Sequence, residues 1–226
     1  MRALHEARLQ VLRARIRPHF LFNTINAVLG IVRAQPKQAE TALEDMADLF
    51  RMAMTDARDL VPVQREIQLS KQYIALEQMR MGNRLNVEWN IHELPETALI
   101  PPLLLQPLLE NAVYHGIESL TQGGVITVII SLGSEGIRIS VENPHATGNV
   151  PSQEIEISRD SGKNDGSASS ASGSLENQRR NNKMALLNIR ERLDLLFDAE
   201  ARYHVENGID FYRVEIVLPH IKERPS

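Results

Sequence analysis

The chain has 226 residues, which is enough for one large domain or two smaller ones. Hydrophobic residues make up 42% and charged residues 24%, as in ordinary globular proteins, and the formal net charge of −4 argues against a dedicated nucleic-acid-binding protein. Because there is no cysteine, disulfides, thiolate catalysis and cysteine zinc sites are excluded.

The amino-terminal part predicts two helices. Apolar residues recur at helical spacing over residues 3–33 and again from Pro36 to about Arg58, with a break at "AQPK". Two antiparallel helices with a short connection form a hairpin, which buries little apolar surface by itself. The pattern therefore predicts a homodimer in which two hairpins form a four-helix bundle.

The first predicted helix is basic. Residues 1–33 contain six arginines and one glutamate, which gives this segment a net charge of +5. Basic faces are usually just solvated, but basic residues also accumulate at the cytoplasmic flank of membrane segments. No apolar run approaches the roughly 20 residues of a transmembrane helix, and no signal peptide is visible. We expect a cytoplasmic chain, or the cytoplasmic part of an inner-membrane protein anchored through a missing amino-terminal segment.

A proline and a histidine lie inside this first helix, where "RPHFLFN" places Pro18 before His19. A proline removes a helical hydrogen bond and crowds the preceding turn, so we expect the helix to kink here. The neutral imidazole of His19 is a nucleophile near pH 7 when it is exposed. Taken alone, the pair is explained more simply by a surface histidine on a kinked helix.

The second part of the chain mixes helices and strands. Residues 64–81 predict a helix, and the period changes to two in "GNRLNVEWNIH", which is typical of a half-buried strand. The helix "PPLLLQPLLENAVYHGIESL" then precedes two strands in "GGVITVIISLGSEGIRISVEN". The stretches "KMALLNIRERLDLLF" and "YHVENGIDFYRVEIVL" predict a last helix and a hairpin that turns at Asn207-Gly208. This order predicts an α+β fold.

The domain boundary is expected between residues 58 and 82. We assign residues 1–62 to the helical hairpin, residues 63–82 to a connecting helix and residues 83–222 to the second domain. Residues 144–182 are rich in Ser, Gly and Asn and contain no aromatic residue. Long segments of this composition within a domain are usually lids or disordered, so we expect a flexible lid here.

Two motifs in order resemble those of the LytS-type sensor histidine kinases. "RPHFLFN" is followed later in the chain by "LLLQPLLENAVYHGI", and "KMALLNIRERL" is similar to the last nucleotide-site helix of that family. The resemblance implies that the hairpin is the dimeric phosphoacceptor domain and that the second domain is a GHKL-type α/β sandwich. It further implies ATP and Mg²⁺ as cofactors and a response regulator of the LytTR type as partner, with no direct contact to nucleic acid.

The resemblance also assigns roles to the residues of the first motif. His19 takes the position of the phosphorylated histidine. Asn23 follows one helical turn later, on the same face, where it would orient the ring or a phosphoryl oxygen. Other kinase families place an acidic base directly after the histidine, but Phe20 occupies that position here.

In the second motif, Asn111 takes the position of the Mg²⁺ ligand. One amide oxygen with ATP phosphates suffices, because Mg²⁺ prefers oxygen ligands and keeps several waters. Glu110 would hold a metal-bound water or act as a base. Tyr114 stands where the family usually has a lysine, and His115 matches the family and would contact phosphate or cap the helix. The simpler alternative for this motif is a helix with a solvated polar face.

The remaining nucleotide-binding boxes are altered, as in the alginate-regulating AlgZ branch of the family. Asn143 stands where an aspartate accepts a hydrogen bond from the adenine amino group, and His145 replaces the first glycine after it. Lys183 and Ala185 replace glycines that let the backbone approach phosphate, whereas Asn188 is retained. Charge-assisted hydrogen bonds are stronger than neutral ones, so we expect this chain to bind ATP more weakly than family members with the aspartate. Asn143→Asp would then strengthen ATP binding.

Three functions are compatible with these patterns. The first is a sensor histidine kinase core that phosphorylates itself on His19 and passes the phosphoryl group to an aspartate of a response regulator. The second is a non-catalytic signalling scaffold, or pseudokinase, that docks a response regulator, because an intact acceptor motif stands beside altered nucleotide boxes. The third is an unrelated GHKL ATPase, against which the acceptor motif argues.

Overall fold

The computed structural model describes residues 18–53, 60–92, 94–145 and 189–221, together with Leu186. Helices dominate the first part of these residues, and a mixed β-sheet dominates the second part. The predicted α+β class is therefore confirmed. Among the same residues, no helix combines the length and the apolar character that crossing a membrane requires.

Helix α1 (Pro18–Ile31) and helix α2 (Pro36–Ala53) form the hairpin. Pro36 suits the first position of α2 because the first amides of a helix have no partner within it. The sequence predicted a longer first helix and a second helix that ends near residue 58. Residues 1–17 and 54–59, where those extensions fall, lie outside the described part of the chain.

The side chains of the hairpin differ in exposure. Ala39, Ala42 and Leu49 of α2 are buried and belong to the main hydrophobic cluster. Large hydrophobic side chains of the hairpin are exposed, namely Phe22, Leu29, Val32 and Leu43. A single chain thus leaves an apolar surface on its hairpin uncovered.

A short strand, β1 (Val61–Pro62), leads into a connecting helix, α3 (Val63–Met81). The remaining strands are β2 (Leu85–His92), β3 (Leu99–Ile100), β4 (Gly124–Gly133), β5 (Gly136–Pro144), β6 (Arg202–Asn207) and β7 (Phe211–Leu218). Strands β1 and β3 pair with each other, and the other five form a sheet in the order β2-β4-β5-β7-β6. In that sheet β2 and β4 are parallel, whereas all other neighbours are antiparallel.

One face of the sheet is apolar and carries the core. The alternation predicted for β2 is confirmed, since Val87, Trp89 and Ile91 are half-buried between exposed polar residues. Residues on the same face of β4, β5 and β7 are almost fully buried: Ile126, Val128, Ile130, Ile137, Ile139, Val214 and Ile216. Helix α5 (residues 189–197) adds buried side chains to this cluster.

The predicted helix over residues 101–120 is shorter and less regular than its sequence suggests. Helix α4 (Leu105–Asn111) starts only after two consecutive prolines, and Leu103 adopts a positive φ of 54° just before it. The helix then widens into one turn of π-helix (Ala112–Ile117), in which the amide of Glu118 donates to the carbonyl of Val113 at 2.8 Å.

The last hairpin does not turn at Asn207-Gly208 as predicted. Asn207 still pairs with Tyr212 in the ladder, and residues 208–210 form the loop. Gly208 lies under the ring of Phe211, where an added Cβ would come within 2.7 Å of the ring Cζ. Glycine is therefore needed at this position to let the ring approach and does not mark a two-residue turn.

Candidate functional site

The polar side chains of α4 are buried. Asn111 is 6% exposed and Glu110 is 8% exposed. The side-chain amide of Gln106 donates to Glu110 Oε1 at 2.9 Å, one helical turn away. This burial is incompatible with a solvated polar face, which was the simpler interpretation of the motif.

The π-turn carries the next two predicted residues. Tyr114 and His115 are half-buried, and their rings meet edge to face with centroids 5.1 Å apart. Single π-turns within helices occur frequently at functional sites, because the wider turn changes the direction in which side chains point. Here the turn also carries a glycine, Gly116, towards the sheet.

The π-turn contacts the end of β5 at Asn143. Asn143 is only 2% exposed, and its Nδ2 donates to the carbonyl of Pro144 at 2.9 Å. A Cβ built on Gly116 would lie 2.9 Å from both Cβ and Cγ of Asn143, so only glycine fits. Two stretches separated in sequence, the α4 motif and the end of β5, therefore meet at one place.

His145 joins the end of β5 to the β6–β7 loop. Its backbone amide donates to the carbonyl of Asp210 at 3.1 Å, and its ring Nε2 lies 3.1 Å from the carbonyl oxygen of Gly208. The residue that replaces a glycine of the family pattern thus has a structural role of its own in this chain.

The predicted acceptor residues lie on a different helix. His19 and Asn23 both belong to α1, and Asn23 is half-buried. The next residue after His19, Phe20, packs against Tyr73 of α3 with ring centroids 5.1 Å apart. Lys183 and Asn188 of the third motif lie outside the described residues, as does the predicted lid from residue 146 onwards.

Sequence reasoning missed a buried carboxylate, Glu66 on α3, which is 1% exposed. Its Oε1 accepts from the amide of Leu103 at 2.7 Å, and its Oε2 accepts from Leu104 at 3.0 Å and Leu105 at 3.3 Å. Burial raises the pKa of Glu66, although the three amides and the Arg192 guanidinium act in the opposite direction. The available signal was its position two helical turns before Tyr73, on a face that also carries apolar residues.

A second polar group links α3 to the far end of the π-turn. Arg80 Nη2 lies 2.6 Å from Glu77 Oε2 on the same helix, and Arg80 Nη1 lies 2.7 Å from Glu118 Oε1. Arg84, just beyond α3, donates from Nη2 to the carbonyl of Leu120 at 2.9 Å. The α4 segment is therefore held by the connecting helix and by the residues that follow it.

The described residues contain no group of three or more His, Asp or Glu side chains that could hold a metal ion. The Mg²⁺ of a Mg–ATP complex needs only a single protein oxygen, because phosphates and waters supply the other ligands. Asn111 offers that amide oxygen. At Asn143 the Nδ2 donates to the carbonyl of Pro144, so the acceptor atom of this side chain is its amide oxygen.

The chain matches the sequence pattern of the family described as Histidine kinase over residues 7–85. It is 28% identical over 218 residues to the sensor protein LytS of Staphylococcus epidermidis, covering 96% of this chain and 34% of that protein. It is 32% identical over 195 residues to the sensor histidine kinase YpdA of Escherichia coli, covering 85% of this chain and 31% of that protein. The chain thus spans about a third of the length of these curated relatives.

Among solved structures, the histidine kinase domain of the blue-light activated histidine kinase from Erythrobacter litoralis EL346 aligns with 97% of this chain and 96% of that chain. The TM-score of this alignment is 0.46, and the sequence identity is 16%.

Proposed function

Because the chain belongs to the histidine kinase family, with sensor proteins of the LytS type among its relatives, we propose that it is the kinase core of a two-component sensor. In this proposal it transfers the γ-phosphoryl group of ATP to His19 and then to an aspartate of a response regulator of the LytTR type. Because ATP and response regulators are cytoplasmic, the chain would carry out this function in the cytoplasm.

The observation that carries the proposal is the contact between Gly116 and Asn143. It joins the motif matched to the Mg²⁺ ligand with the position matched to the adenine acceptor. Asn111 would supply an amide oxygen to Mg²⁺, and Asn143 would accept a hydrogen bond from the adenine amino group through its amide oxygen. Tyr114 and His115 lie on the turn between these two positions and would contact phosphate.

The third motif completes the proposed nucleotide site. Lys183 would supply a positive charge to the phosphates in place of the backbone contact that a glycine permits. Asn188, which is retained from the family pattern, would also bind the nucleotide. Residues 144–182 would cover the bound nucleotide. Mg²⁺ would neutralise the charge that develops on the phosphates during transfer.

The phosphoryl transfer itself needs His19 as the nucleophile. A ring nitrogen of the neutral imidazole forms a bond to the γ-phosphorus, the bond from that phosphorus to the bridging oxygen breaks, and ADP leaves. The remaining ring proton is lost once the imidazole carries the phosphoryl group. Asn23, one turn along α1, would orient the ring, and Glu110 would accept this proton or hold a metal-bound water.

Dimerisation through the hairpin is part of the proposal. Phe22 and Leu29 of α1 are 66% and 64% exposed, and Leu43 of α2 is 50% exposed. A helical hairpin with this much exposed apolar surface is stabilised when a second copy covers it. The two hairpins would then form the predicted four-helix bundle.

The test is incubation of the purified chain with γ-labelled ATP and Mg²⁺. We expect acid-labile label on the wild-type protein and none on His19→Gln. The variant should still bind nucleotide like the wild-type chain, because His19 and the proposed nucleotide-binding residues lie on different elements. Absence of label on a wild-type chain that still binds a response regulator would support the scaffold hypothesis instead.

A further inference from the structure

Helix α4 begins without a capping side chain of its own. The first amides of any helix lack partners within it, and a Ser, Thr, Asp or Asn normally supplies one. Here the N-cap position is Leu104, whose side chain cannot accept a hydrogen bond. Leu103 before it has a φ of 54°, in the left-handed region that disfavours residues other than glycine. This start therefore depends on support from elsewhere.

That support comes from Glu66, 37 residues earlier than Leu103 in the chain. Its two carboxylate oxygens accept from three consecutive amides at 2.7, 3.0 and 3.3 Å. A carboxylate at this position also interacts favourably with the positive end of the helix dipole. Charge-assisted hydrogen bonds are strong and directional. The three bonds from Glu66 therefore hold the first residues of α4 at a fixed position against α3.

The other end of the segment is also attached to α3. The Arg80 guanidinium lies 2.7 Å from Glu118 Oε1, directly after the π-turn, and 2.6 Å from the buried Glu77 on its own helix. Asn111 lies between these two attachments. A displacement at either end of the segment would therefore shift Asn111 as well.

We propose that Glu66 is a positioning residue for phosphoryl transfer, which holds Asn111 in place by fixing the start of α4 to the connecting helix. The inference rests on the proposed kinase function. It gives α3 a role in the nucleotide site, although Glu66 lies outside both the acceptor motif and the nucleotide motifs.

A helix start can be capped by a neutral side chain, so capping alone does not need a charge at this place. Replacing buried charges with apolar side chains of similar volume is often neutral or stabilising, so a buried carboxylate is weak evidence for stability alone. A carboxylate does supply directional acceptors for several amides at once, which an apolar side chain cannot do. Directional acceptors matter when a helix must present one side chain, here Asn111, at a fixed place.

The proposal is tested with Glu66→Gln in the full chain, with Glu88→Gln as the control. Glu88 is an exposed carboxylate on β2 and undergoes the same chemical change. The glutamine keeps the length of the side chain but replaces one acceptor oxygen with a donor that faces amide donors. We expect faster hydrogen exchange of the amides of residues 103–105 in Glu66→Gln and unchanged exchange there in the control.

The kinetic readout separates positioning from binding. We expect Glu66→Gln to lower kcat for autophosphorylation by about tenfold or more, with the KM for ATP changed by less than about threefold, because small displacements of a catalytic group mainly affect the transition state. The adenine side of the site, at Asn143 and Gly116, is on the opposite end of the segment and should stay intact. An unchanged kcat in a variant whose amides exchange faster would overturn the proposal, as would unchanged exchange.

Two further measurements keep the test decisive. If Glu66→Gln does not fold, Glu66→Asp retains the charge but withdraws it by one methylene, and the same changes are expected in that variant. If the wild-type chain shows no label, the kinase function fails, but the exchange data still decide whether Glu66 holds the start of α4. In that case the Mg²⁺ dependence of ATP affinity replaces kcat, and equal dependence in Glu66→Gln and Glu88→Gln would overturn the proposal.

Discussion

The ring of Phe20 packs on the ring of Tyr73, with centroids 5.1 Å apart and planes inclined by 42°. The residue next to the proposed phosphoacceptor His19 is thereby in contact with the connecting helix. Two helical turns earlier on that helix, Glu66 binds the start of α4. One helix therefore contacts both the proposed acceptor motif and the proposed nucleotide motif, although the two motifs lie far apart in the sequence.

This contact gives a first prediction with a matched control on the same helix. Phe20 is 8% exposed, whereas Phe22, two residues later, is 66% exposed. Phe20→Ala should lower the free energy of unfolding by about 3–5 kcal/mol, because a buried ring is lost and a cavity remains. Phe22→Ala should change it by less than about 0.5 kcal/mol at protein concentrations low enough to keep the chain monomeric. Urea denaturation measures both, and equal losses would contradict the described packing.

The exposed side of the hairpin gives a second prediction, about assembly. Leu29→Asp places a charge in the proposed dimer interface and should convert the chain to a monomer without unfolding it. Ile209→Asp is the matched control, since Ile209 is 79% exposed in the β6–β7 loop and is not part of the helical hairpin. Sedimentation velocity at high micromolar concentration distinguishes the two. A wild-type chain that sediments as a monomer, or a Leu29→Asp variant that remains a dimer, would exclude this interface.

The third prediction concerns the close approach of Gly116 to Asn143. Gly116→Ala would put a methyl group 2.9 Å from Cβ and Cγ of Asn143, which forces the π-turn away from β5. We expect ATP affinity to fall at least about tenfold and stability to fall by about 1–3 kcal/mol, as in other overpacked sites. Isothermal titration with ATP and Mg²⁺ measures the affinity.

Gly30→Ala in α1 is the control for the third prediction, because a Cβ there meets nothing within 4 Å. Alanine is the better helix former, so this variant should gain up to about 1 kcal/mol. If Gly116→Ala binds ATP as tightly as Gly30→Ala, the contact between the π-turn and β5 is not required for binding.

Some of these features follow from the sequence and others do not. The alternation in β2 records which side chains face the core, so the pattern alone predicts the strand. The start of α4 depends on Glu66, which lies far away in the sequence, and local propensity contains no information about it. The loop at residues 208–210 was mispredicted because Asn207-Gly208 looks like a turn, whereas the packing of Phe211 on Gly208 decides the geometry.

The same distinction holds for the candidate site. The motif order predicts that Asn111 and Asn143 belong to one site. The described contact joins Asn143 to Gly116, on the π-turn that follows Asn111, and the shared site stays a prediction. The sequence could not predict that Tyr114 lies in a π-turn, because a π-turn arises from the packing of the whole segment rather than from residue preferences. Nor could it predict the bonds of His145 to the β6–β7 loop, since those partners follow more than 60 residues later.

The fourth prediction is a pH dependence that originates at Glu66. Its pKa in the folded chain is raised above the ordinary value of 4.5 by burial, despite the opposing effects of three amides and of Arg192. Well below pH 4.5 the carboxyl is protonated in both the folded and the unfolded chain, so its full contribution to stability is present. As pH rises, the unfolded chain ionises first, and stability is lost until the folded carboxyl has also ionised.

Glu66→Gln cannot titrate and lacks this loss. The difference in unfolding free energy, wild type minus Glu66→Gln, should therefore decrease as pH rises above 4.5 and then become constant. The total decrease is about 1.4 kcal/mol for each unit by which the folded pKa exceeds the unfolded pKa. Urea denaturation in steps between pH 4 and pH 8 gives the curve. A difference that grows in favour of the wild type over this range would show that the folded pKa is depressed instead.

The last prediction reverses an expectation from the sequence. Asn143 occupies the position of an aspartate, and restoring the charge was expected to strengthen ATP binding. In the structure, however, Asn143 is 2% exposed and its Nδ2 donates to the carbonyl of Pro144 at 2.9 Å. A carboxylate has no donor to replace this hydrogen bond, so Asn143→Asp would place two oxygen acceptors against each other in a buried site.

We therefore expect Asn143→Asp to lower the free energy of unfolding by about 1–3 kcal/mol and to leave the affinity for ATP unchanged or weaker. Asn90→Asp on β2 is the control, because Asn90 is exposed and the same replacement there should be nearly neutral. Urea denaturation and isothermal titration on the two variants decide the matter. Tighter ATP binding by Asn143→Asp at undiminished stability would mean that position 143 favours a charged acceptor, as the sequence suggested. The expected result would mean that the hydrogen bond from Asn143 to Pro144 is required instead.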